Sequence, residues 1–138
     1  MKSFHTLLKI AQRKLDELGI EAARTGKEVA DMQSKVAGIR AREQAEIATA
    51  SANPAYASML PAYRLRIRWQ VDELNVQMRA KEAQLAEIRE RLSAAYIEKS
   101  KFEQLIEQTR VREDAERLAR EQAMLDEVAT NRAGGQGK

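Results

Sequence analysis

Apolar side chains recur through the first fifty residues in alternating steps of three and four, and this rhythm constrains the fold more than any other feature. The positions are Phe4, Leu8, Ala11, Leu15, Leu18, Ala22, Thr25, Val29, Met32, Val36 and Ile39. This spacing places one narrow seam along an α-helix, which is typical of a coiled coil. The rhythm meets Glu43 and resumes at Ile47, an insertion of four residues that would locally unwind a supercoil. We therefore predict a first helix over residues 3–51.

A second seam of the same kind follows in the rest of the chain. It runs through Leu60, Ile67, Val71, Leu74, Met78, Leu85, Ile88, Leu92, Ala95, Phe102 and Ile106. Lys81 and Lys99 occupy seam positions, where their stems can lie on the seam while their charges reach water. The stretch YRLRIRWQV alternates apolar and polar residues like a strand. No other segment alternates to pair with it, so we predict a second helix over residues 59–131.

One break separates the two seams, at Asn53-Pro54. Ser58 could cap the second helix, with Pro61 in its first turn. Two heptad helices joined by a turn over residues 52–58 should fold back antiparallel.

The predicted fold class is therefore all-α, a long antiparallel two-helix coiled-coil hairpin with a C-terminal helical extension. We expect residues 1–132 to form this single domain and residues 133–138, AGGQGK, to form a disordered tail.

The second helix is too long for its partner. Pairing about a pivot near residue 55 sets Phe4 opposite residue 106. About 24 residues, or about 36 Å of helix, then lie past the start of the first helix. This extension carries one thin apolar stripe at Val111, Leu118 and Leu125, spaced seven apart. Because the stripe has no partner in the chain, we expect it to meet another protein or a second copy.

Composition and motifs argue against catalysis. Charged residues make up 33% and aromatic residues 4% of the chain, a bias that favours long helices over a broad globular core. There is no cysteine, the single histidine is His5, and AGGQGK lacks the strand and helix of a phosphate-binding loop. We expect no enzyme, no metal and no cofactor. No apolar run approaches the roughly 20 residues of a membrane span, and the N-terminus lacks the apolar core of a signal peptide, so a cytoplasmic location is expected.

The middle of the chain is its one clearly electropositive segment. No acidic residue lies between Glu46 and Asp72, whereas Arg64, Arg66 and Arg68 do. Two tyrosines and the single tryptophan fall nearby. Arginine and aromatic side chains are favoured at interfaces, although these aromatics could equally close the end of the hairpin. The balanced charge elsewhere argues against a nucleic-acid groove.

Two segments resemble the FliJ-type flagellar export proteins. The C-terminal LDEVATNR is similar to that family's Leu/Met-Asp-Glu-x-Ala-x-x-Arg pattern, here at Leu125, Asp126, Glu127, Ala129 and Arg132. The N-terminal FHTLLKIAQRKLDE resembles the family's start. The architectural resemblance spans the whole chain.

The resemblance implies a non-catalytic stalk. FliJ-type proteins resemble the central coiled coil of rotary ATPases, link the flagellar export ATPase ring to the membrane export gate, and help recycle export chaperones. The resemblance therefore implies that this protein lies at the cytoplasmic face of the inner membrane, as a peripheral component. The first helix departs from the family, because IRAREQAEIATASA has no tyrosine where relatives often have one. Only Gln44 and Ile47 are candidates there for a contact with the gate.

The resemblance also implies two sites. The tip site, expected to contact the export gate, comprises Tyr56, Met59, Leu60, Tyr63, Arg64, Arg66, Ile67 and Arg68. The extension site, expected to contact the ATPase, comprises Val111, Leu118, Leu125, Asp126, Glu127 and Arg132. Two alternatives remain open: a coiled-coil scaffold that self-associates, or a nucleic-acid or membrane-surface binder that uses the three arginines.

Overall fold

The computed structural model describes residues 2–136 and contains three helices. These are α1 (Lys2–Ala52), α2 (Pro54–Ala57) and α3 (Leu60–Gln136). Within the described residues there is no strand, so the alternating stretch YRLRIRWQV is helical. The long helices α1 and α3 pack against each other, which confirms the predicted all-α hairpin.

The connection between the long helices contains a helical turn of its own. Asn53 adopts an extended backbone conformation, and its side-chain oxygen accepts a hydrogen bond from the Ala55 amide at 3.1 Å. This bond satisfies an N–H group that would otherwise lack a partner at the start of α2. Ser58 follows α2 as its C-terminal cap instead of starting the second long helix. That helix, α3, begins at Leu60 with Pro61 in its first turn, where the missing N–H does little harm.

The C-terminal helix continues further than expected. We predicted an end near residue 131, whereas α3 extends to Gln136 and includes Gly134 and Gly135. Glycine costs a helix about 1 kcal/mol relative to alanine, but unlike proline it does not block the hydrogen bonds of the helix. Residues 137–138 of the expected tail lie outside the described residues.

The chain divides into two compact units, of which the middle unit comprises residues 15–94. Its core is formed by seam positions of both long helices. The buried residues are Leu18, Thr25, Val29, Glu43 and Ala50 from α1, and Ile67, Val71, Leu85 and Ile88 from α3. Val71 is the most deeply buried large side chain, with 1% of its surface exposed. The heptad pattern therefore identified this core apart from Ala50, which was not among the predicted seam residues.

An ion pair between the helices marks the register of the middle unit. The Lys81 Nζ lies 2.7 Å from the Glu28 Oε2. The midpoint of positions 28 and 81 is 54.5, next to the pivot near residue 55 that the sequence predicted. Lys81 thus occupies a seam position while its ammonium group reaches an acid at the edge of the seam.

The terminal unit comprises residues 1–14 and 95–138. Ala11 and Ala95 are buried there, and four larger seam residues are half-buried. Those four are Phe4, Leu8, Phe102 and Ile106. From residue 110 to residue 135 every side chain is exposed except that of Asp114, which is half-buried. The extension therefore lies outside the packed part of this unit.

Candidate functional site

A pocket of about 710 Å³ lies beside the turn of the middle unit. Nine residues line it: Glu46, Thr49, Ala50, Tyr56, Met59, Leu60, Ala62, Tyr63 and Arg66. Five of the eight residues predicted for the tip site are among them, because α2 and the first turns of α3 present one face towards the end of α1. Gln44 and Ile47 of α1 do not line this pocket.

The tip pocket combines an apolar wall with one unsatisfied polar group. Tyr56 and Met59 are exposed, and the Tyr63 hydroxyl is buried without a hydrogen-bond partner among the described residues. The Arg66 guanidinium carbon lies 5.9 Å from the centre of the Tyr63 ring, within the range of a cation–π contact. A buried hydroxyl without a partner costs about 1–3 kcal/mol. The pocket therefore suits an apolar side chain that is accompanied by a hydrogen-bond acceptor.

The other three residues predicted for the tip site lie elsewhere. Arg64 and Arg68 line a separate groove of about 440 Å³, which Arg40, Glu43 and Asp72 also line. Ile67 is buried in the seam between the long helices. Its side chain is not accessible to a partner and instead supports the hairpin, which corrects its assignment as a contact residue.

Glu43 is an acid within the seam, at the position where the heptad rhythm of α1 changes. It is 7% exposed, and its Oε2 lies 3.8 Å from the Arg40 Nη1. A carboxylate at such a position loses much of its hydration, and a single contact at this distance compensates only in part. Glu43 therefore interrupts the apolar seam.

The extension site is exposed along its length. Leu118 is 60% and Leu125 65% exposed, Val111 is similar, and Asp126, Glu127 and Arg132 are also exposed. Residues seven apart on a helix are separated by about two turns and so share one face. The structure thus brings the three apolar residues into a single stripe that no described residue covers.

The stripe does not continue the seam. Thr109 is half-buried and continues the seam three residues after Ile106. Val111 lies two positions after Thr109, and successive helical residues are rotated by about 100°. Val111 therefore lies roughly on the opposite side of α3 from the seam. Ile97, fourteen residues before Val111, is 66% exposed and lies on the same face. Ile97 is not among the residues predicted for the extension site, although its separation of fourteen residues from Val111, twice seven, was an available signal.

Charged residues stabilise the first part of the extension as a helix. The Arg110 guanidinium lies 2.7 Å from Glu107 and 2.9 Å from Asp114, each within one turn. The hydrogen bond from Arg110, together with its charge, lowers the pKa of Glu107 below its ordinary value. Further along, the Gln122 amide donates to Asp126 at 3.1 Å. Contacts of this kind support a helix that has no packed partner.

The described residues show neither a metal site nor a membrane span. Within residues 2–136, no group of three or more histidine or acidic side chains is arranged to hold a metal ion. None of the helices there has the length and apolar character that crossing a bilayer requires.

Comparison with known proteins gives one result. No curated protein and no solved structure matches the chain. The family model described as flagellar FliJ protein matches residues 1–138, which is the whole sequence and includes both the tip pocket and the exposed stripe. The chain therefore belongs to the flagellar FliJ family and is a component of the flagellar protein export apparatus.

Proposed function

We propose that this protein is a non-catalytic coiled-coil stalk between the flagellar export ATPase ring and the cytoplasmic domain of the membrane export gate. It also binds export chaperones and helps to recycle them. The observation that carries the proposal is the exposed stripe of Val111, Leu118 and Leu125 on a helix that no described residue covers. Three large apolar side chains spaced seven residues apart are suited to pack against a helix of a partner protein.

The energetics of the stripe support docking to a larger protein. Burying a Val or Leu side chain contributes about 1.5–3 kcal/mol before the costs of association are subtracted. Asp126, Glu127 and Arg132 are exposed near the end of the stripe and would supply a polar rim. We assign these six residues to the ATPase contact.

The tip pocket is assigned to the export gate. Tyr56, Met59, Leu60 and Tyr63 offer apolar surface, and Arg66 offers a positive charge at its edge. An aromatic and arginine cluster of this kind is a favoured anchor at protein interfaces. Attachment to the gate would hold the protein at the cytoplasmic face of the inner membrane, as a peripheral component.

The ATPase contact can be tested with full-length variants. Leu118→Ser combined with Leu125→Ser should abolish stimulation of the ATPase, because the stripe loses its two largest side chains. Ile20→Ser combined with Val76→Ser is the matched control, since both residues are similarly exposed and lie outside the extension. Normal stimulation by the stripe variant would remove the extension from the contact.

The gate contact has its own experiment. Tyr63→Ala combined with Arg66→Ala should weaken capture of the gate's cytoplasmic domain and leave helicity unchanged. Tyr96→Ala combined with Arg89→Ala, an exposed pair outside the pocket, should have no effect. Equal capture by the pocket variant and the control would exclude the pocket as the gate contact.

A self-associating scaffold is the second candidate, because the same stripe could pair with a second copy. Sedimentation of the intact chain separates the two. A monomer at micromolar concentration supports docking to the ATPase, whereas a dimer that dissociates with Leu118→Asp supports the scaffold.

A further inference from the structure

The outer side of α3, just after the turn, carries two exposed apolar residues, Leu65 and Trp69. They are four residues apart and therefore share one face of the helix. Ile67 and Val71 each lie two residues further and are buried in the seam. Two residues correspond to a rotation of about 200°, so Leu65 and Trp69 face away from α1. We call this pair, with the arginines beside it, the outer face.

Arginines border the apolar pair on both sides. Arg64 and Arg68 each precede an apolar residue of the pair, and Arg66 follows Leu65, which places them about 100° to either side. All three arginines are exposed. Neither Arg64 nor Arg68 forms an ion pair or a hydrogen bond with another described residue.

The outer face ends at acidic residues. Asp72 and Glu73 lie within about one turn of Trp69, and the nearest preceding acid in the sequence is Glu46 of α1. Glu43, which lines the groove beside Arg64 and Arg68, lies 3.8 Å from the Arg40 guanidinium, which offsets its negative charge. The local charge is therefore positive over the same two turns in which the apolar pair is exposed.

We propose that the outer face binds an anionic lipid surface. Leu65 and the Trp69 indole would lie at the boundary between headgroups and acyl chains, and the arginines would extend sideways to the phosphate groups. Apolar side chains on a convex face, with cations on both flanks, suit a flat surface. The tip pocket, by contrast, is concave and lies on another side of α3.

This inference goes beyond the stalk function, although it rests on the proposed location at the membrane. Contact with lipid would orient the protein beside the gate without any contribution from the gate itself. The two ideas can fail separately, because lipid binding can be measured with vesicles that contain no protein.

The chain supplies its own reporter, since Trp69 is its one tryptophan and is 66% exposed. Vesicles of equal parts phosphatidylglycerol and phosphatidylcholine should shift the Trp69 emission of the full-length protein to the blue. Vesicles of phosphatidylcholine alone should not. The shift should weaken as salt is added, because screening reduces attraction to the anionic surface.

Matched variants test the arginines. Arg64→Ala combined with Arg68→Ala should weaken vesicle binding about 25-fold, or about fivefold for each arginine. Arg79→Ala combined with Arg89→Ala removes the same charge from exposed positions elsewhere on α3 and should weaken it less than about threefold. Far-ultraviolet circular dichroism should be the same for all these proteins, because the four arginines are exposed.

Three results would overturn the proposal. One is an equal shift with neutral vesicles, and another is an equal loss of binding by the two double variants. The third is a shift with a single-stranded oligonucleotide but none with anionic vesicles, which would identify a nucleic-acid surface instead. If vesicle binding is absent while ATPase stimulation is normal, the lipid inference fails and the stalk proposal stands.

Discussion

Lys81 of α3 and Glu28 of α1 form an ion pair across the hairpin, with 2.7 Å between the Nζ and the Oε2. Both side chains are about one-third to two-fifths exposed, so solvent screens their attraction. The pair therefore contributes more to the choice of register than to stability, since a slipped pairing would leave both charges beside the seam without a partner.

The first prediction concerns the register. Lys81→Glu should lower the melting temperature, because two carboxylates would then face each other, and adding Glu28→Lys should restore most of the loss. Thermal melts followed by circular dichroism give both values. The Glu87–Arg91 pair, which lies within α3, is the control. Reversing one of its charges, or both, should change the melting temperature little. A double variant as unstable as Lys81→Glu alone would contradict an interhelical pair.

The second prediction is a pH dependence. The hydrogen bond from Lys81, with the charges of Lys81 and Arg24, lowers the pKa of Glu28 below its ordinary value. The resulting stabilisation is present above the ordinary pKa and is lost as the pH falls through the lowered one. The difference in melting temperature between the natural protein and Lys81→Met should therefore shrink below about pH 4. A difference that stays constant into this acid range would contradict the assignment.

The third prediction compares two valines on opposite sides of α3. Val71 is 1% and Val76 63% exposed. Val71→Ala should lower the free energy of unfolding by about 2 kcal/mol, because it removes two methyl groups from a packed seam. Val76→Ala should change it by less than about 0.5 kcal/mol. Chemical denaturation measures both, and equal losses would mean that the seam is wrongly placed.

The fourth prediction concerns the buried acid. Glu43→Met should raise the free energy of unfolding by about 1 kcal/mol, since a side chain of similar length no longer has to be desolvated as a charge. Glu46→Met, three residues later and exposed, is the control and should show no such gain. A loss of stability with Glu43→Met would show that the contact with Arg40 outweighs the cost of burial.

The fifth prediction uses a glycine within α1. A Cβ at Gly38 would meet no atom within 4 Å, so alanine fits there without displacing a neighbour. Gly38→Ala should raise the free energy of unfolding by about 0.5–1 kcal/mol, and Ala37→Gly should lower it by a similar amount. If Gly38→Ala does not raise the free energy of unfolding, the helix is not regularly formed at this position.

Much of the fold was predictable, because burial in a coiled coil follows a simple period. Of the residues buried in the middle unit, all but Glu43 and Ala50 were placed in a seam by spacing alone, including the polar Thr25. Glu43 was identified as the point where the rhythm changes, and Ala50 was not predicted. The local turn was less predictable. The turn could have been a simple loop, but it contains the short helix α2, which Asn53 caps. Formation of α2 depends on one hydrogen bond to the Asn53 side chain, which residue spacing cannot reveal.

The tip site was predicted as one surface, and the structure divides it. Arg64 and Arg66 are only two residues apart, but a helix rotates them onto different sides. Arg66 lines the pocket and Arg64 the groove, whereas Ile67 lies in the seam. Residue composition selected the segment, but rotation about the helix axis determines which of its side chains lie together.

The position of the exposed stripe, opposite the seam and extending back to Ile97, has a thermodynamic consequence. A partner bound to this stripe would not displace the first helix. Folding of the hairpin and binding of the partner are therefore two equilibria with little linkage between them. Changes at Val111 or Leu118 can then alter affinity while the folding equilibrium stays the same. Affinity and stability could therefore be adjusted separately along a single helix.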